Sequence, residues 1–165
     1  MRYLLDANVL ISAHRSHYGF DFCPGFWDWL LAAHALGQVY SVARVEAELL
    51  GSGDRLTEWV KALPRGFFVA ESSEDANAFR AVATWAQQQS YQANAINEFL
   101  QSADSALVAQ AQARGDTVVT HEVRSQSLRM IKIPDACVGA TVPYPTPYAM
   151  LRREQARFVL EKASP

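Results

Sequence analysis

Only two of the 165 residues are cysteines, and Cys23 and Cys137 make neither a CxxC pair nor a zinc spacing with the four histidines. That argues against a disulfide framework and a structural zinc site, and reduced thiols suit a cytoplasmic protein. A large excess of either charge is also missing: 15 Lys and Arg stand against 17 Asp and Glu, a net charge of −2. No global field therefore draws the chain onto nucleic acid or a membrane, and an anionic substrate has to be held by a metal or a local basic patch. No apolar run approaches a membrane span, and nothing at the N-terminus resembles a signal peptide. No internal repeat or long linker divides the chain. What is present is apolar bulk: 50% of the residues are hydrophobic and 19% charged. That fills one core, so a single domain over residues 1–165 is the expectation.

The pattern alternates strand and helix. Tyr3-Leu4-Leu5 reads as a buried parallel strand that runs into Asp6, and Val9-Leu10-Ile11 resumes as a short helix. An aromatic loop follows, then a helix from Phe26 to about Leu36 with Phe26, Trp29, Leu30 and Ala33 inward. Val39–Val42 is the second strand, followed by a helix over about Ala43–Leu50 and an amphipathic helix carrying Leu56, Trp59, Val60 and Leu63. Phe67–Val69 is the third strand, and Ser72-Ser73-Glu74-Asp75 opens the next helix. The Gln/Asn-rich stretch 87–97 reads as a break before a short helix with Ile96, Phe99 and Leu100. Ser102 caps a helix from Ala103 to about Arg114, Thr117–Thr120 is the fourth strand, and a fifth is expected between Leu128 and Ile133. Pro134 then marks a turn, with Asp135 in a capping or loop role, and Thr146-Pro147 starts a last helix.

Four acids fall on one side of this frame. Asp6 and Glu122 follow the first and fourth strands, Asp104 lies in the first turn of its helix, and Glu48 sits on the inward edge of the helix after the second strand. In open parallel sheets, strand ends and the starts of the following helices surround one crevice. Two readings stand for Asp6 alone, a helix N-cap or a group facing that crevice. Like charges gathered there repel unless a cation sits among them, and an all-oxygen donor set suits Mg²⁺ or Mn²⁺.

These residues carry a resemblance. Tyr3-Leu4-Leu5-Asp6-Ala7-Asn8-Val9-Leu10-Ile11 resembles the opening motif of PIN-domain proteins, among them the VapC-type toxin ribonucleases. Phe20-Asp21-Phe22 with Pro24-Gly25-Phe26-Trp27-Asp28-Trp29-Leu30, Lys132-Ile133-Pro134-Asp135-Ala136-Cys137, and Met150-Leu151 with Arg157-Phe158-Val159-Leu160 resemble an uncharacterised PIN-like subfamily, over about Tyr3 to Leu160. The resemblance implies a three-layer α/β/α sandwich with a central, mainly parallel sheet of four to five strands. It also implies a Mg²⁺- or Mn²⁺-dependent ribonuclease whose metal-binding catalytic acids are Asp6, Glu48, Asp104 and Glu122. Glu122 stands where the wider family has Asp, and its carboxylate reaches one methylene further. Asn8 and Thr120 would steady Asp6 or a metal-bound water, and the products would carry 5′-phosphate and 3′-hydroxyl ends. As a toxin it would have RNA as substrate and a cognate antitoxin, a DNA-binding repressor, as partner.

One or two ions, about 3.5 to 4 Å apart if two, would activate water and neutralise the phosphate. Arg44, Arg124, Arg129 and Lys132 could carry phosphates, and His121 could touch substrate or protonate the leaving oxygen. Each also reads as ordinary surface charge or a loop side chain. His14 and His17 have a ligand-like spacing but no acid partner. Phe20, Phe22, Trp27 and Trp29 read as packing before base stacking, and the aromatic region after Ile11 is the expected docking face for a partner or a second copy. Two rivals remain. A haloacid-dehalogenase-type phosphatase needs a second Asp where Asn8 stands. A non-catalytic PIN-like module that binds RNA or protein keeps the fold without the chemistry.

Overall fold

The computed structural model describes residues 1–159; Leu160, the end of the last resembling segment, lies outside them. Strand β1 (Tyr3–Leu5) is wholly buried, because all three side chains are apolar and both faces of a central parallel strand are covered. Asp6 caps α1 (Ala7–Ser12), which runs into a π-helical turn over Ala13–His17 closed by the Tyr18 N–H on the Ala13 carbonyl. Helix α2 (Pro24–Ala35) starts on a proline, where the missing N–H costs nothing. Strand β2 (Val39–Val42), α3 (Ala43–Leu50), α4 (Arg55–Lys61), β3 (Phe68–Val69) and α5 (Asp75–Gln88) follow. Then come α6 (Ala93–Gln101), α7 (Ala103–Arg114), β4 (Thr117–Val119), α8 (Ile133–Ala140) and α9 (Pro147–Arg153). Ser102 caps α7, and Gly115 ends it at φ 67°, a backbone that glycine adopts without strain.

The sheet has four parallel strands in the order β3-β2-β1-β4, so β1 is central although it comes first. The result is a three-layer α/β/α fold of PIN-like architecture. Helix α7 lies against β2 and β4 and packs with α5, α6 and α8. Its run Ser105–Ala111 is buried throughout, and four of its seven side chains, Ser105, Ala106, Ala109 and Ala111, are small enough to let neighbours pack closely. Gly139 brings α8 so close to α5 that a methyl group there would run into the Trp85 ring. The free side of β4 is closed by prolines, whose carbonyls at Pro143 and Pro145 accept the N–H groups of Val118 and Thr120. Among the described residues no helix is long and apolar enough to cross a membrane.

Two expectations change. No fifth strand forms over 128–133; Ile133–Ala140 is helical instead. Pro134 sits in the first turn, where its fixed φ favours a helix, and Asp135 follows in the same turn. The buried stripe of α2 runs through Phe26, Trp27, Leu30 and Ala33, with Trp29 only half-buried. Trp27 is drawn in because its indole N–H donates to the Tyr18 carbonyl at 2.7 Å and its ring stacks on Phe20, centroids 4.0 Å apart. Tyr18 likewise stacks on Phe26. Much of the aromatic region after Ile11 is therefore spent on internal packing, while Phe22 stays 65% exposed.

Candidate functional site

The end of β1 sets Asp6 beside Thr120, which follows β4. Asp6 is 3% exposed; its Oδ2 accepts the Thr120 hydroxyl at 2.8 Å and its Oδ1 the Asn8 backbone N–H at 3.4 Å. Both readings of Asp6 are thus true at once, since the same carboxylate caps α1 and faces the other acids. Asn8 steadies it through its backbone N–H. Thr120 is a pivot: while donating to Asp6, its oxygen accepts the Glu122 N–H at 3.0 Å.

Burial pushes the Asp6 carboxyl up to about 6, against the pull of the Thr120 and Asn8 hydrogen bonds, with smaller upward pushes from Glu122 and Glu48. Asp104, in the first turn of α7, is pushed up to about 7, first by burial and then by the charges of Asp6, Glu122 and Glu48; Lys132 opposes them. Folding therefore does gather the four acids into one electrostatic neighbourhood, although Glu48 is exposed on α3.

The neighbourhood is not a metal centre. Among the described residues no group of three or more His, Cys, Asp or Glu side chains could hold a metal ion. The donor set explains why. Glu122 is already committed, one oxygen accepting the Lys132 ammonium at 2.8 Å and the other the Ile133 N–H at 2.9 Å. Asp6 accepts one hydrogen bond on each oxygen, from Thr120 and Asn8. The cation set among these carboxylates is a lysine of the chain itself. The expected Mg²⁺ or Mn²⁺ cofactor is thereby overturned, and so are the metal-dependent ribonuclease activity and the VapC-type toxin of a toxin–antitoxin pair that depended on it. Asp6, Glu48, Asp104 and Glu122 are charge neighbours without being ligands of one ion.

The remaining candidates separate. Arg44 is a staple, its guanidinium donating to Glu71 and to the carbonyls of Leu100 and Ser102, which ties α3 to the α6–α7 junction. His121 stands with His17 and Tyr148, ring centroids 5.1 and 5.5 Å away, and burial and the His17 charge hold it below its ordinary value. His14 points elsewhere, toward Phe20 and Asp54. Asp135 receives the Arg124 guanidinium and the Ser125 N–H, so it moors the segment after β4; Arg129 is exposed.

Lys132 as an internal countercharge, and Glu98, escaped the sequence reading. No signal marked Lys132 in this role, because the helix it precedes, with Pro134 in its first turn, reads in the sequence as a strand and a turn. Lys132 and Glu98 line a cavity of about 250 Å³ beside Asp104 and Glu122, with Phe99, Met130 and Ile131 as apolar wall. Replacing Thr120 by Val is expected to cost about 1–3 kcal/mol at pH 8, because the buried Asp6 carboxylate loses its shortest donor. Urea unfolding should show that loss shrinking as the pH falls through 6 and Asp6 takes up a proton.

No curated protein and no solved structure matches the chain. A family model covers residues 3–158, nearly its whole length, and the chain therefore belongs to the family described as a domain of unknown function (DUF4411).

Proposed function

We propose that the chain is a non-catalytic binding module of PIN-like architecture, and that the cavity beside Asp104 receives a basic side chain from a protein partner. The observation that carries this reading is the charge of the cavity: Glu98, Asp104 and Glu122 line it against one cation among the described residues, Lys132. A phosphate backbone has the wrong sign for such a wall, whereas a guanidinium or ammonium group offsets the burial and the neighbouring acidic charges that raise Asp104. Phe99, Met130 and Ile131 suit the methylene stem of that side chain, and desolvated Arg anchors are common centres of protein interfaces.

Fluorescence anisotropy with a labelled Arg-rich decapeptide, its citrulline counterpart and a single-stranded RNA tests the reading. The Arg peptide is expected to bind, about tenfold more weakly to Asp104→Asn and to Glu98→Gln, and more weakly in high salt. The citrulline peptide and the RNA should not bind, and the RNA should stay intact in Mn²⁺. Equal binding of both peptides, or RNA cleavage by the unaltered chain that is lost in Asp6→Asn, would overturn it.

A further inference from the structure

A second cavity, of about 310 Å³, opens between α5 and α7, away from the acidic crevice. Ala106, Ala109 and Gln110 line it from α7, at the i, i+3, i+4 spacing of one helix face, and Ala76, Phe79 and Arg80 line it from α5. The alanines leave the space that larger side chains would fill. Gln110 is the anomaly in its wall: the residue is 1% exposed, and neither its amide nitrogen nor its amide oxygen has a hydrogen-bond partner among the described residues. Buried amides are almost always paired, and one left unpaired beside a cavity marks a place where a bound group completes the bonding.

The acids at this cavity are already satisfied. Glu71 holds Arg44, and Asp75 holds Arg114 together with the Ser72 N–H and hydroxyl. Charge therefore does not decide what enters. A carboxamide offers one donor and one acceptor side by side in a plane, which matches a planar ring carrying the same pair reversed, as a nucleobase edge does. Phe79 supplies apolar wall, and Arg80, exposed at the mouth, supplies a cation for an anionic tail.

We propose that the cavity between α5 and α7 is a binding site for a free mononucleotide, its base on the Gln110 amide and its phosphate at Arg80. An NMR titration of the isotope-labelled full chain with adenosine 5′-monophosphate, and separately with ribose 5-phosphate, tests it. The nucleotide is expected to give saturable shifts confined to α5 and α7, and ribose 5-phosphate to give none. Gln110→Met keeps the volume and removes the amide; Ala76→Phe, at an exposed rim position, narrows the entrance without touching the core. Each should weaken nucleotide binding roughly tenfold or more, while urea unfolding verifies that both variants are folded. Absence of saturable binding, equal response to the two ligands, or nucleotide binding unchanged in both variants would each sink the assignment.

Discussion

At pH 8, Asp104→Asn is expected to resist urea better than the unaltered chain, by about 2–4 kcal/mol. The carboxyl of Asp104 has an ordinary value of 3.8 when unfolded and about 7 in the fold. Between those values the folded chain binds a proton that the unfolded chain has lost, so stability falls as the pH rises from about 4 to 7. Above 7 both states are ionised and the whole penalty is present. Asparagine carries no charge and escapes it. The advantage of the variant should therefore be largest at pH 8, smaller at pH 5 and nearly gone at pH 4. Equilibrium unfolding at these three values measures it, and an advantage independent of pH would show that burial and the neighbouring acids do not act on Asp104 as described. Asp6→Asn should behave in the same direction over a narrower window, because Asp6 rises only to about 6. A residue that weakens the fold where it stands is one that function can retain, which fits the binding role proposed for the cavity.

Removing the internal cation should act in the opposite sense. In Lys132→Met the Glu122 carboxylate, with its side chain 15% exposed, keeps the Ile133 N–H but loses the ammonium, and Asp104 loses the charge that restrains its rise. The expected loss is about 2 kcal/mol at pH 8, below the value for a fully buried pair because the lysine side chain is 30% exposed. Adding Asp104→Asn or Glu122→Gln to Lys132→Met should recover more than the same change gains in the unaltered chain. That departure from additivity is the signature of groups sharing one field. Strict additivity of Asp104→Asn with Lys132→Met, beside coupling of Glu122→Gln with it, would mean that Lys132 only holds Glu122 locally and does not offset the group.

The positions of the four acids were legible because strands running into a charge, and helices opening on one, are local patterns. Tyr3-Leu4-Leu5-Asp6 and Ser102-Ala103-Asp104 each state their geometry within a few residues. What fills the space among the acids was not legible. Gathering carboxylates calls for a positive charge, but the pattern does not say whether an ion or a side chain provides it, and Lys132 reaches Glu122 only because α8 begins immediately after it. That helix was itself hidden: apolar Leu128, Met130 and Ile131 followed by a proline look like a strand and its turn, while residue 134 is in fact in the first turn of a helix. The choice between Trp27 and Trp29 was similarly closed to a periodicity argument, since it rests on the Tyr18 carbonyl nine residues back. Gln110 gave no sign at all, because a polar residue in an alanine-rich helix reads as solvent-facing until its neighbours are known.

The placement of β1 has a consequence for synthesis. Its partner on one side, β2, leaves the ribosome within some forty residues, but its partner on the other side begins only at Thr117. Throughout translation of the intervening stretch, the central strand presents a bare row of amide and carbonyl groups bearing apolar side chains, a template for pairing with another nascent chain. Truncation anywhere before residue 117 makes that condition permanent, so fragments ending there should aggregate instead of persisting as smaller folded pieces.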